Sequence, residues 1–558
     1  KFIDECHKRK IQVFNDLVLN HAFESNVMAI MYWDEEPCVP HKPNGCPSVD
    51  NPWFNKFHKM VRNTAGHWGV DWNHESEHTQ AFMDRALDFW LQEYQFDGFR
   101  FDFTKGFGQI DPDDPTNGFP LGDDWASSYK ADRIGLLKRM SNGMWTRNPG
   151  SVVIFEHLAN NNEDKELADY GISMWSGVGH HNDVKGFIFG NNTDNTDIYN
   201  SGIYDAPARN FLFANWMSYP ESHDEQRLAY ELWNSYGAFA PSDSPADSLA
   251  KVIDRLKIGW AYNLLFPGPR MIWQFGELGY DFDINFNGRT GEKPVRWDYY
   301  DDLKRRELYD FISKLLYIRN NYSIYAVPPD YGNIALGAGN LTTPRRMELQ
   351  DGNGNYVLVI ANLDPSTNRS VQPSSVYVNG STWYRYNGDP NIDGSLFTAT
   401  SNTYDLSPSE VLVLTNFEIP TKKKLAVKIN LEGNYDGALM RSELNDLAQI
   451  PITEPFSALP NFTHVGRGGG ESILSAALDN TGNDAIVDWV FVELRDALDN
   501  TQVVATRSAL LQKDGDIVDM DGVSPLAFQV LSGDYYVVVK HRDHLGIMTA
   551  ATVNLSNP

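Results

Sequence analysis

The sequence predicts an α/β fold, in which parallel strands alternate with helices around a barrel, followed by all-β units. Two observations carry this. In the first half of the chain, short runs rich in β-branched and aromatic residues end in polar and charged groups. They lie a helix and a loop apart, the rhythm of βα units around a parallel barrel, whose functional groups come from the carboxyl ends of several strands. From about Gly339 the texture changes to short alternating strands with turn punctuation, the pattern of antiparallel sheets.

Residues 1–10 read as the end of a helix, and the apolar run 13–19 as a strand that delivers Asn20 and His21. A Pro-rich loop holding Cys38 and Cys46 follows, then the short motif Gly69-Val70-Asp71-Trp72-Asn73. Residues 97–102 form the most informative segment. Phe99 and Phe101 alternate with Arg100 and Asp102, so the arginine and the aspartate point to the same side of the strand. A cation held against a carboxylate keeps it ionised, as a nucleophile attacking a sugar carbon requires. A lone Arg-x-Asp is more often a structural ion pair, and the case here rests on the segments that accompany it. Residues 151–155 deliver Glu156 and His157, and residues 216–220 lead to His223 and Asp224. The last barrel strand is expected at 270–274 and the closing helix at 302–320. Beyond it, residues 356–360 and 411–414 read as strands, 421–424 as a basic linker, and 486–492 and 534–539 as strands of a further unit.

These strand-end segments resemble the conserved regions of the α-amylase family of glycoside hydrolases, over about residues 1–417. The resemblance places Asp102 on the family's nucleophile, Glu156 on its general acid/base and Asp224 on its transition-state-stabilising aspartate. His21, Arg100 and His223 match residues that orient the nucleophile and grip the sugar, and Lys105 one that contacts the leaving-group side. It implies a (β/α)8 TIM barrel over 1–338 with a small inserted domain at about 22–74, a β-sandwich at 339–417 and an accessory β-sandwich at 418–558. The strand at Val13 matches the family's third, so two strands and about a hundred residues are expected in front of residue 1. That accessory unit resembles modules near the ends of secreted Bacteroidetes proteins. Gly106 departs from the histidine common in amylases, and Glu221, Ser222 and Glu225 around His223-Asp224 are similar to glycogen-branching enzymes.

The resemblance also implies structural Ca²⁺, held by the Asn20 amide oxygen, the Asp71 carboxylate and the Gly106 carbonyl, all hard oxygen donors. Branching enzymes manage without that ion. Trp33, Trp68 and Trp72, in or beside the inserted domain, are candidate sugar-stacking walls, although most of the 15 Trp and 26 Tyr belong to the core.

The net charge of −27 argues against nucleic-acid and anionic-membrane partners. No run of about eighteen apolar residues occurs, so no membrane-spanning helix is expected. A neutral α-glucan suits the composition, and a secreted or cell-surface bacterial monomer is the expectation. Cys38 and Cys46 form either a short disulfide, implying an oxidising compartment, or a reduced pair. Gly468-Gly469-Gly470 reads as a turn and the acidic run 514–522 as a solvated hairpin. Three functions from different classes result: an α-amylase cleaving internal α-1,4 bonds, a branching transglycosylase using the same covalent intermediate, and a non-catalytic glycan-binding relative. The third is disfavoured because all three carboxylates are present.

Overall fold

The computed structural model describes residues 1–36, 45–108, 122–190, 197–235, 244–332, 341–466 and 468–556. A short helix, Phe2–Lys8, precedes strand β1 (Phe14–Leu17). The strand read over 13–19 is thus shorter than expected. The chain leaves it for an excursion in which β2 (His21–Ala22), β3 (Trp33–Asp34), β4 (Cys46–Pro47) and β5 (Val70–Asp71) form two antiparallel pairs, β2 with β5 and β3 with β4. Cys46 is disulfide-bonded and Cys6 is a free thiol, whereas Cys38 lies outside the described residues.

Strands β6 (Gly98–Phe101), β7 (Val152–Phe155), β8 (Ser173–Trp175) and β9 (Trp216–Met217) then join β1 in one parallel sheet, ordered β1-β6-β7-β8-β9. Every residue of β6 is buried, as expected of a parallel strand covered on both faces. The helix Glu77–Gln92 shows why the connections take helical form. Ser76 caps it by accepting the His78 amide, and Thr79, Met83, Leu87 and Leu91 recur every fourth residue on its buried side. Phe99, Phe101, Phe155, Leu87, Leu137 and Met174 meet in one core beneath the sheet.

The strand expected at 270–274 is reduced to one parallel bridge between Ser218 and Arg270. Gly268 turns the chain at a positive φ between Pro267 and Pro269, and the Arg270 guanidinium folds back onto the Phe266 and Pro267 carbonyls. Among the described residues β1 has no partner on its other side, and the sheet is open. The closing helix spans Leu303–Asn321, with Asp302 capping it as the acceptor for the Lys304 and Arg305 amides.

The next unit contains β10 (Arg345–Gln350), β11 (Tyr356–Ala361), β12 (Arg369–Val371), β13 (Thr382–Tyr386), β14 (Ser395–Thr398), β15 (Tyr404–Leu406) and β16 (Val411–Thr415). They form an antiparallel sheet β10-β11-β16-β13-β14 and a separate pair β12-β15. Alternation divides the main sheet's side chains between two cores. Val357, Val359 and Val413 pack with Leu256, Phe311 and Leu315 of the preceding helices, and Leu358, Ile360 and Leu412 pack with Trp383 and Leu406. The buried Arg255 guanidinium crosses between the two units and donates to the Leu363 carbonyl at 3.0 Å.

The last unit holds β17 (Thr421–Leu425), β18 (Ile486–Asp496), β19 (Val503–Gln512), β20 (Ile517–Val518), β21 (Leu526–Val530), β22 (Gly533–His541), β23 (His544–Met548) and β24 (Val553–Leu555). Its main sheet runs β20-β19-β18-β22-β23, with β24 on β22, and β17 pairs with β21. The basic linker expected at 421–424 is therefore a strand. Thr421, Lys423 and Leu425 face inward and Lys422 and Lys424 outward, so charge masked a period of two.

Candidate active site

The carboxyl ends of the parallel strands converge on Arg100. It is 5% exposed and follows Phe99 in β6, where Asp16 of β1 is its register partner. Its Nη1 donates to Asp16 Oδ1 at 2.9 Å and to Asp102 Oδ1 at 3.0 Å, and its Nη2 lies 2.9 Å from Glu156 Oε2. One guanidinium thus touches the carboxylates at the ends of three strands. The Trp175 ring, from β8, lies 4.9 Å beneath it.

Asp102 is held from its other side by Asn20, whose Nδ2 donates to the Asp102 carbonyl at 2.8 Å and to Oδ2 at 3.1 Å. The Asn20 amide oxygen is bonded to His21 Nδ1, which ties His21 to the same group. After Asp102 the backbone turns sharply, with Phe103 in the left-handed region at φ 41°. The turn aims the Phe103 amide at Glu156 Oε2, 3.0 Å away, and the Thr104 amide at the Glu156 carbonyl, 2.8 Å away.

Burial dominates the electrostatics of Glu156. It pushes this carboxyl up to about 7 against the pull of Arg100, with Asp102 and Asp224 adding in the same direction. Asp224 is moved the other way. Its hydrogen bond with His223, Nε2 to Oδ2 at 3.2 Å, lowers it, and Arg289 supports it at 3.3 Å. His223 is raised by the same contact. One carboxyl, Glu156, is therefore raised to about 7 while another, Asp224, is lowered, the separation that acid/base chemistry on one substrate requires.

Lys105 is 6% exposed, and its ammonium contacts the Leu158 carbonyl at 3.2 Å and Ser127 Oγ at 3.4 Å. It is lowered by burial and by Arg133. The Lys105–Gly106 turn is fixed from behind: Arg133 donates to the Lys105 carbonyl at 2.8 Å and pairs with the buried Glu163. A Cβ on Gly106 would come within 3.1 Å of both Asn20 and Phe103, so a larger residue there would need these side chains to yield by a few tenths of an ångström.

Asp71 is 1% exposed. Its Oδ2 accepts from Asn55 at 2.8 Å and from the Lys59 amide at 2.9 Å, whereas its buried Oδ1 has no hydrogen-bond partner among the described residues. The register of β2 with β5 puts Asp71 opposite His21, next to Asn20. An orphaned buried carboxylate oxygen, on a strand paired with the one that carries His21, is a donor of the type that suits a hard cation.

The aromatic candidates separate. Trp72 is 2% exposed, its ring stacked on Phe54 at 4.0 Å and Phe82 at 5.4 Å, so no face is left for a sugar and its subsite role is withdrawn. Trp33 is half-buried in the β3–β4 pair and packs on the same cluster as Phe54. Trp68 is the one that reaches the site: it is 38% exposed, 5.7 Å from the His21 ring and 5.2 Å from Phe103. Asp16, Trp175 and Arg289 belong to the site without having been singled out in the sequence. Asp16 had a signal, its place at the end of a strand beside the Arg100 strand. Arg289 had none, because it meets Asp224 only through the fold.

No known family signature matches the chain. It is similar over 157 residues to the 1,4-alpha-glucan branching enzyme GlgB of Lactiplantibacillus plantarum, 25% identical, covering 28% of this chain and 22% of that protein. It is also similar to GlgB of Lactobacillus acidophilus, 21% identical over 294 residues, 51% of this chain and 41% of that protein. The chain thus spans less than half the length of these curated relatives. Among solved structures, pullulanase type I from Bacillus subtilis aligns with a TM-score of 0.51 and 16% identity, over 74% of this chain and 55% of that one. The α-amylase from Geobacillus thermoleovorans aligns with a TM-score of 0.51 and 14% identity, over 74% and 79%. The structural neighbours are α-amylase-family glycoside hydrolases, and the chain shares their fold.

Proposed function

We propose that this protein is a retaining glycoside hydrolase that cleaves internal α-1,4 bonds of starch- or glycogen-type glucans. The observation that carries the reading is the placement of Glu156 and Asp102 around Arg100: a buried carboxyl raised to about 7, and across the guanidinium a second carboxylate that accepts from Arg100 and from the Asn20 amide. Bond cleavage through an oxocarbenium-like transition state needs both at once. Glu156 gives its proton to the departing oxygen while Asp102 attacks the anomeric carbon, forming a glycosyl-enzyme. Glu156, now ionised, deprotonates an incoming water that releases the sugar with its configuration retained. Asp224, kept ionised by His223 and Arg289, stabilises the positive charge that develops on the ring. His21 and His223 grip the sugar at the cleavage point, and Trp68 offers a ring face beside it.

Calcium is part of the proposal. Asn20, Asp71 and the Gly106 carbonyl would hold it, and it would supply no chemistry beyond tying the excursion at 22–74 to the sheet. A secreted enzyme agrees with the disulfide at Cys46.

The curated relatives favour one second reading, a branching transglycosylase in which another glucan replaces water. The products from soluble starch decide between them. New reducing ends in proportion to lost iodine colour mark hydrolysis, and colour loss without them marks branching. Pullulan offered alongside tests for α-1,6 cleavage.

A further inference from the structure

The last unit carries a second cluster of ligating groups, far in sequence from the carboxylates of the barrel. Glu454, His464 and Glu471 present donor atoms that all lie within 4.8 Å of one another. Glu454 and Glu471 stand side by side because their segments run antiparallel, with a bridge between Thr453 and Ser472 and the Glu454 amide donating to the Glu471 carbonyl at 2.9 Å. His464 hangs from the loop between them, its ring against Phe491 of β18 at 4.9 Å.

The hydrogen bonds around Thr506 settle which imidazole nitrogen faces the carboxylates. Thr506 Oγ1 accepts the Val465 amide at 2.9 Å, gives its one proton to the Val465 carbonyl at 3.2 Å and meets His464 Nδ1 at 3.1 Å. All three contacts hold together only if Nδ1 carries the proton and donates it. In the neutral ring Nε2 then presents a lone pair inward, where it is buried and has no hydrogen-bond partner among the described residues. It stands 3.6 Å from Glu454 Oε2. That is too long for a charge-assisted hydrogen bond, which spans about 2.7–2.9 Å. It matches two ligands about 2.0–2.2 Å from a shared tetrahedral metal, which stand about 3.4 Å apart. A lone pair facing a buried carboxylate is repulsive unless a cation lies between them.

The two glutamates are fixed in place by contacts of their own. Glu454 is locked by the Phe456 amide at 2.7 Å, the Ser457 amide at 3.1 Å and the Gly470 amide at 3.1 Å, and by the Ser457 hydroxyl; its weakest contact, Ser508 Oγ at 3.4 Å, is the one a metal would displace. Glu471 takes the Gly469 amide at 3.0 Å, and Arg507 lies 3.1 Å from its other oxygen. Arg507 is shared with Asp519 at 3.0 Å, so it does not neutralise the pair of glutamates.

We propose that Glu454, His464 and Glu471 bind one divalent transition-metal ion of the zinc class, which ties these three residues together against β19. Imidazole nitrogen among the donors selects zinc over calcium, which takes oxygen ligands. The Thr506 contact is the outer-shell partner that orients a metal-binding histidine.

The test uses the full chain, equilibrated with Zn²⁺ and then freed of loose metal by gel filtration. Elemental analysis should find one zinc per chain, and His464→Ala and Glu471→Gln should each lose it while retaining the parent's far-ultraviolet circular dichroism. X-ray absorption at the zinc edge should show one imidazole among light-atom ligands. Zinc retained equally by both variants, or less than a tenth of an equivalent on the parent, overturns the proposal. If His464→Ala fails to fold, Glu471→Gln alone decides by the same count.

Discussion

The Arg100 guanidinium lies 2.9 Å from the Glu156 carboxyl, and that carboxyl is nevertheless raised to about 7. Burial outweighs an ion pair here. Activity that needs protonated Glu156 should fall as pH rises through about 7, giving the alkaline limb of the rate profile. With Glu156→Gln that limb should vanish for a substrate with a good leaving group, while starch turnover drops by about three orders of magnitude. A limb that survives the change assigns it to another group.

Asp102→Asn keeps the side chain's shape and the Asn20 hydrogen bond to the residue's own carbonyl, and removes the charge that attacks. The rate should fall by about three orders of magnitude or more with the melting temperature unchanged. Turnover within tenfold of the parent removes Asp102 from the nucleophile's role.

Trp68 and Trp72 make a paired test. Trp72→Ala should destabilise by about 3–5 kcal/mol in urea titrations, because it empties a stack between Phe54 and Phe82. Trp68→Ala should leave stability nearly unchanged and raise KM about fivefold on maltooligosaccharides, the loss of one stacking contact of about 1 kcal/mol. Equal effects of the two on the melting curve would contradict the burial difference.

Calcium at Asp71 is tested by linkage. Saturating Ca²⁺ at about a hundred times its Kd should stabilise the parent by about 2.7 kcal/mol, and Asp71→Asn should abolish the increment. An increment that persists in the variant places the ion elsewhere.

Glu221 is 2% exposed, donates nothing to the site's chemistry and is pushed up to about 7 by burial. Its folded-state pKa lies above the unfolded value, so its contribution to stability is complete below about pH 4.5 and is lost as pH rises through about 7. Glu221→Gln, neutral throughout, should match the parent near pH 4 and exceed it by about 3 kcal/mol at pH 8. Urea midpoints at the two pH values measure it.

What the sequence made legible were strand-end groups, because a buried parallel strand forces apolar residues up to the point where a polar one emerges. Arg100, Asp102, Glu156 and Asp224 could be found that way. Trp72 could not be sorted from Trp68, since burial of an aromatic depends on what the fold brings over it. The strand at 421–425 was hidden because three consecutive lysines look like a solvated linker until their partner strand is known. Arg289 was invisible, joined to Asp224 across 65 positions by tertiary structure alone.

The core that runs from Leu256 and Phe311 into Val357 and Val413 has no seam. Calorimetry of the intact chain should therefore show the strand–helix part and the first antiparallel unit melting together. The last unit, with its own cluster around Val490, Ala509 and Val537, is under no such bond. Recombination can exchange that unit between proteins as a cassette, whereas the other two must be inherited as a pair.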